Sequence, residues 1–337
     1  MHSENKRGAC FTMNMSKTLA ISMYHYTRDL VHSRYPSIKG LAYDLFEQQL
    51  RFFTENFSVI TMDDAIKAVQ MNSGCALPKN PILLTFDDGY IDNFTVVLPL
   101  LKKYGMQGSF FIPGKTFTEN VLLDVNKIHF VLASADNPKE LVSDIYSYLD
   151  EARKNPKYAA IPSNADLYCA YGIASRFDDA DVVFCKRILQ TAIPEKLRND
   201  ISSRLFAKYV GLSESNFARE LYMNYDQIKC LRDNGMFIGL HGYDHYWLGN
   251  LAEEAMRQDV DKALDVMSDF INKNAWVMNY PYGSYNQGVI DYIKSKGCVL
   301  GLTTVVGKAD LTDANRFTLQ RFDCNDFPPK SENYLRY

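Results

Sequence analysis

Apolar residues recur along the chain in two rhythms. Short, mainly apolar runs at 18–26 (TLAISMYHY), 81–86 (PILLTF), 108–112 (GSFFI), 236–240 (MFIGL), 275–279 and 299–303 have the length and flanks of buried parallel strands. Between them the spacing changes to threes and fours. Phe46, Leu50, Phe53 and Phe57 fall on one helix face, as do Met256, Val260, Leu264, Met267 and Ile271 in a helix expected over 253–271. Thr61 or Asp63 caps another helix, and Gly105 and Gly235 end helices over 91–104 and 225–234. A helix is expected at 287–296 and a last strand at 316–322. Alternating strands and helices predict a parallel α/β fold. The alternation stops over 118–223. There Leu141, Ile145 and Leu149, and then Leu197, Ile201, Leu205 and Tyr209, mark helix faces punctuated by Pro138, Pro156, Pro162 and Pro194. Residues 118–223 therefore read as an inserted helical subdomain, and residues 1–17 as a loose tail.

Composition narrows the classes. The 337 residues allow two ordinary domains or one large α/β domain with an insertion. With 37 Lys plus Arg against 40 Asp plus Glu, the net charge of −3 argues against a dedicated nucleic-acid surface. The 47% hydrophobic content supports a large core. The 22 Tyr and 20 Phe serve mainly that core, with sugar stacking as a second use. No apolar run approaches the roughly 20 residues of a membrane span. The polar start and the short run at 19–23, broken by Ser22, do not read as a signal peptide, so a cytoplasmic location is expected. Seven scattered cysteines (10, 75, 169, 185, 230, 298 and 324), with no C-x-x-C pair, read as reduced thiols.

Parallel α/β folds place chemistry at the C-terminal ends of their strands. Asp87-Asp88-Gly89 follows one predicted strand, His241-Gly242-Tyr243-Asp244-His245 a second and Tyr280-Pro281-Tyr282-Gly283 a third, while His25 ends the first. Two histidines four apart, joined by one carboxylate, make a facial set for a divalent ion. Adjacent buried carboxylates need a counter-charge, which such an ion supplies. A helix N-cap accounts for one of the two aspartates and not for both.

Thr85-Phe86-Asp87-Asp88-Gly89-Tyr90, His241-x-x-x-His245 and Tyr280-Pro281-Tyr282-Gly283 resemble, in that order, the first three motifs of the polysaccharide deacetylases (NodB-homology, carbohydrate esterase family 4). Met23-Tyr24-His25-Tyr26 resembles the branch related to the poly-N-acetylglucosamine deacetylases. Gly301-Leu302-Thr303-Thr304 and Gly307 resemble that family's late strand and turn. The resemblance implies a distorted (β/α) barrel of about seven parallel strands, formed by 18–117 and 224–337. It implies Asp87 as general base, Asp88, His241 and His245 as metal ligands, and the Tyr282 backbone N–H at the oxyanion. The implied cofactor is one divalent ion, zinc first, with nickel, cobalt, iron or manganese as alternatives.

Several positions depart from the family pattern. Gly242 replaces a Ser or Thr, Asn279 replaces the motif-three Arg, and no His follows His245 to supply the late acid. His25 is the candidate acid instead, against the alternative of a core histidine. Trp247, Tyr243 and Arg321 are the substrate-contact candidates. Arg321 could also orient Asp87 in place of the missing Arg, although a surface arginine is the default reading. Lys115, Arg28, Arg34 and Lys39 are candidates for a substrate phosphate, with ordinary surface charge as the alternative.

The implied activity is metal-dependent hydrolysis of a linear amide: de-N-acetylation of an amino sugar in glycan or surface-polysaccharide biosynthesis. The sugar would be nucleotide-linked, lipid-linked or oligomeric. Deformylation or other amide hydrolysis on a small metabolite, and an inactive carbohydrate-binding relative, are the alternatives. The insertion is expected to cap the site or to carry an oligomer surface.

Overall fold

Runs apolar on both faces bury themselves by pairing with one another. In the computed structural model, which describes residues 18–70, 77–175 and 178–337, six of them do so. Strands β1 (Thr18–Tyr24), β2 (Pro81–Asp87), β3 (Ser109–Ile112), β4 (Phe237–Leu240), β5 (Trp276–Asn279) and β6 (Cys298–Leu302) lie side by side in that order, all parallel. Strand β7 (Phe322–Asp323) pairs in parallel with the end of β1 through Ser22 and Met23. Just before it, Leu319 bridges to Leu302 at the end of β6. One short segment thus ties the last long strand to the first and curls the sheet into a distorted (β/α) barrel. The strand expected over 316–322 contracts to β7 because the Arg321 N–H turns aside to the Val305 carbonyl at 2.9 Å.

The two-residue period of a strand decides what β2 sends inward. Ile82, Leu84 and Phe86 pack under the surrounding helices. Leu83 shares the interior with Ile21, Phe111, Val277, Leu302 and Leu319. Thr85 and Asp87 continue that inner face.

The helices are α1 (Tyr43–Asn56), α2 (Met62–Gln70), α3 (Leu98–Tyr104), α4 (Asp124–Ser134), α5 (Pro138–Arg153), α6 (Glu195–Tyr209), α7 (Tyr225–Asp233), α8 (Glu253–Val266) and α9 (Gln287–Ser295), with shorter ones between. Thr61 rather than Asp63 caps α2. Its Oγ1 accepts from the Asp64 N–H, and Asp64 Oδ2 accepts from the Thr61 N–H. The helix expected over 91–104 opens as a π-turn (Asn93–Val97) before α3, which ends at Gly105 with φ +65°. Helix α8 stops at Val266, five residues short of expectation. Arg232 Nη1 and Tyr225 Oη hold Asp269 at 2.5 and 2.7 Å, turning the chain while Met267 and Phe270 stay buried.

Helices between 124 and 221 pack round a second apolar cluster that includes Phe130, Ile145, Leu149, Phe184, Ile188, Ile201 and Leu205. That cluster reaches the barrel through Tyr26, Ile38, Tyr90 and Tyr222. Cys169, Cys185, Cys230, Cys298 and Cys324 are free thiols. Cys10, Cys75 and the tail 1–17 lie outside the described residues. No described helix is long and apolar enough to cross a membrane.

Candidate active site

Asp87 is the last residue of β2, and Asp88 leaves the strand with φ +71°, followed by Gly89 at φ +68°. A Cβ on Gly89 would lie 2.8 Å from Ile112 Cγ2, so the turn needs glycine there. Because the backbone reverses hand between them, the two carboxylates point in different directions. His241 directly follows β4, and His245 sits at φ +59°. Tyr282, after β5, sits at φ +58°. Left-handed backbone costs a non-glycine residue about 1–3 kcal/mol. Three of the five such residues among those described converge here.

Asp88, His241 and His245 are all buried, and one ligand atom from each lies within 4.8 Å of the others. Asp88 Oδ1 is 3.4 Å from His241 Nε2 and 3.2 Å from His245 Nε2, yet makes no hydrogen bond of acceptable geometry. Its other oxygen accepts from Tyr90 Oη at 2.6 Å. His241 Nδ1 lies 2.6 Å from the Asn279 carbonyl, which can only accept, so the proton belongs on Nδ1 and the Nε2 lone pair faces Asp88. Burial pushes the Asp88 carboxyl up, but the two imidazoles outweigh it and hold the group well below the ordinary carboxylate value. Burial also lowers His245, against the pull of Asp88, which favours the neutral ligand form. An orphaned carboxylate oxygen beside two imidazole nitrogens fits a divalent cation of the zinc or late-transition type.

Asp87 faces the other way. Arg321 Nη1 and Nη2 grip its two oxygens, each at 2.9 Å. Burial raises the Asp87 carboxyl, and the Arg321 charge, helped by His25 and His241, brings it below its ordinary value. Arg321 is buried, which corrects the surface reading. Its Nε donates to the Thr303 carbonyl, its Nη1 also to Thr85 Oγ1, and its Nη2 also to Asn279 Oδ1. All five guanidinium donors are therefore occupied, and none is left for a substrate. Arg321 orients Asp87 instead, and Asn279, where the family pattern places an arginine, receives it.

His25 Nε2 lies 3.9 Å from Asp87 Oδ2 with its side chain 39% exposed, so it is not a core histidine. Trp247 stacks on Tyr282 at 4.6 Å, and the Tyr282 ring lies 4.7 Å from His245. These rings and Tyr246 share a cavity of about 280 Å³ with Asp124 and Arg198 from the helical segment. Tyr243 is not there. Gly242, at φ +68°, turns it away from the site, and its ring is buried beneath Lys262 Nζ at 3.7 Å while its hydroxyl meets Glu119 and Thr118. Packing removes it from the substrate-contact set. Each cation considered for a phosphate instead pairs with a carboxylate: Lys115 with Asp244, Arg28 with Asp92, Arg34 with Glu220 and Lys39 with Asp178.

Three supporting residues escaped the sequence reading. Tyr90 lies inside the first motif but carried no assigned role. Asp259 accepts from the Tyr243 and Asp244 N–H groups at 2.9 and 2.8 Å and so clamps the histidine loop from α8. A signal for it existed, because an aspartate sits on the apolar face between Met256 and Val260. Nothing in the sequence singled out Asn126, which bonds to Tyr90 from the helical segment.

A model of the polysaccharide deacetylase family matches residues 75–155 and 172–301, and the chain belongs to that family. YxkH of Bacillus subtilis (strain 168), whose own assignment as a polysaccharide deacetylase is provisional, is 31% identical over 99 residues. That match covers 29% of this chain and about a third (33%) of YxkH. Among solved structures, the Streptococcus pyogenes deacetylase PplD in complex with acetate superposes with a TM-score of 0.57 at 18% identity, over 95% of this chain and 96% of that one. IcaB from Ammonifex degensii gives 0.53 at 16% identity, over 95% and 96%. A de-N-acetylase from Aggregatibacter actinomycetemcomitans gives 0.53 at 15%, over 94% and 99%. At such identities these superpositions speak to the fold.

Proposed function

We propose that the chain hydrolyses the acetamido group of an N-acetylated amino sugar, releasing acetate and the free amine, in glycan or surface-polysaccharide biosynthesis. The observation that carries this reading is the pairing of an Asp-His-His cation cradle with a separate, arginine-held carboxylate at one barrel rim. A divalent ion held by Asp88, His241 and His245, zinc by preference, would supply Lewis acidity toward the acyl carbonyl and lower the pKa of water. Asp87 accepts the proton of the water that attacks the acyl carbon, and Arg321 keeps that carboxylate ionised and aimed. The Tyr282 backbone N–H is assigned to the developing oxyanion. His25 gives a proton to the nitrogen as the C–N bond breaks, a role supported by its 3.9 Å approach to Asp87 and its exposure. Trp247, backed by Tyr282, offers a ring face to the sugar. The same reading divides the chain into a deacetylase barrel, 18–117 and 224–337, and an inserted subdomain, 118–223, that walls one side of the cleft.

Acetate release from a panel of N-acetylated sugars, free, nucleotide-linked and oligomeric, tests the proposal. Release should stop after chelation and return with added zinc or cobalt. Full-rate release from metal-stripped protein would refute the cation role, and formate release from N-formyl sugars alone would move the assignment to deformylation.

A further inference from the structure

The helical segment does more than wall the cleft, because a hydrogen-bond chain runs from it to a cation ligand. Tyr90 Oη donates to Asp88 Oδ2 at 2.6 Å. Asn126 Nδ2, from α4, lies 2.6 Å from Tyr90 Oη and 2.8 Å from Tyr26 Oη. Tyr222 Oη donates to Asn126 Oδ1, and the Leu123 N–H donates to Tyr222 Oη at 3.2 Å. Tyr26 Oη lies 3.2 Å from His129 Nδ1. Asn126, Tyr26, Tyr90 and Tyr222 are all buried, and Tyr26 stacks on Tyr90 at 4.1 Å.

Donor counting leaves the chain one direction. Ionised Asp88 can only accept, so Tyr90 spends its single proton there and its oxygen must receive another donor. The amide NH₂ of Asn126 is that donor, and its second proton goes to Tyr26. The Asn126 carbonyl then faces Tyr222, which donates to it and accepts from the Leu123 amide. Tyr26 Oη, having accepted, meets His129 Nδ1 at 3.2 Å, where the direction follows the imidazole tautomer. Reversing the Asn126 amide would set its oxygen against the Tyr90 oxygen, two acceptors face to face. The result at Asp88 is asymmetric: Oδ2 is occupied, and Oδ1 is left unbonded beside His241 and His245.

We infer that Asn126 is a positioning residue for the cation site, acting from the helical segment through Tyr90 to select which Asp88 oxygen is offered to the metal. The inference rests on the cation reading above and extends it, since it makes cation affinity, and not only substrate recognition, a property of that segment.

The test is titration of the metal-stripped full chain with Co²⁺ against a chromophoric chelator, recording the visible cobalt bands, for the parent, Asn126→Leu, Tyr90→Phe and the double variant. Asn126→Leu and Tyr90→Phe should each weaken Co²⁺ binding about 10- to 100-fold, as losses of outer-shell partners do, and should shift the cobalt bands. The double variant should bind no more weakly than Tyr90→Phe alone, because both changes cut one relay. Tyr222→Phe keeps the ring and removes only the hydroxyl that orients Asn126. It should weaken binding less, again with no further loss on the Tyr90→Phe background, and it decides the matter if Asn126→Leu does not fold. Affinity and bands equal to the parent, or penalties that multiply in the double variants, would overturn the inference alone. A parent that takes up no Co²⁺ would overturn the cation reading as well.

Discussion

Asp87 and Asp88 are neighbours in sequence, equally buried, and solve opposite electrostatic problems. On the inner side of the barrel, Asp87 meets a guanidinium whose every donor is used, so its charge is balanced by the protein itself. On the rim side, Asp88 meets two imidazoles and a tyrosine, and one of its oxygens has no hydrogen bond. A buried carboxylate without a fixed partner is costly. The difference shows how one Asp-Asp step can serve both proposed roles, base and ligand: the left-handed turn at Asp88 separates two environments that the sequence places side by side.

The strongest attempt to break this comparison removes each carboxylate function in turn. Asp88→Ala or His241→Ala should abolish stoichiometric zinc in purified protein and reduce acetate release by about 10³-fold or more, equivalent to several kcal/mol of lost Lewis-acid stabilisation. Asp87→Asn should keep the zinc and lose about 10²- to 10⁴-fold in turnover, the usual worth of a general base. Elemental analysis beside kinetics separates the two, and loss of zinc from Asp87→Asn would collapse the distinction.

A smaller effect should follow from unpairing the inner side. Arg321→Met leaves Asp87 buried without its counter-charge and should cost about 3–5 kcal/mol in denaturant unfolding. Adding Asp87→Asn should restore part of that stability, since the stranded charge is then gone. A double variant less stable than Arg321→Met would show that the arginine acts mainly through packing.

The smallest effect sharpens the rim side. Burial, with Lys186 adding repulsion, pushes His129 from 6.5 down to about 3. The unfolded chain binds this proton below about pH 6.5 and the folded chain does not until near pH 3, so stability falls as pH drops through that window. The residue lines a groove, so solvent reduces the effect to roughly 1 kcal/mol by pH 5. His129→Gln should flatten this part of the melting-temperature profile.

The sequence made the cation cradle readable because its parts are local: a strand end with Asp-Asp-Gly and a turn with two histidines four apart. Arg321 was obscure because its meaning depends on ring closure, with β7 meeting β1 and Leu319 meeting Leu302, and no local pattern specifies that. The direction of Tyr243 is hidden from the sequence for a related reason. Lying between His241 and His245 says nothing about side-chain direction once Gly242 turns the backbone to φ +68°. The sequence pattern overextends helix α8 because Met267 keeps the apolar rhythm after the helix has ended. Asn126 gave no sign at all, since its value lies in tyrosines about 36 and 100 residues distant.

The closing segment has a consequence for biosynthesis. A ribosome that has released only the first 315 residues has already produced every proposed cation ligand and Asp87, but not the guanidinium that grips the carboxylate or the strand that joins the sheet's two ends. On the proposed reading, the site is therefore complete only once β7 docks and Arg321 enters the barrel behind Asp87.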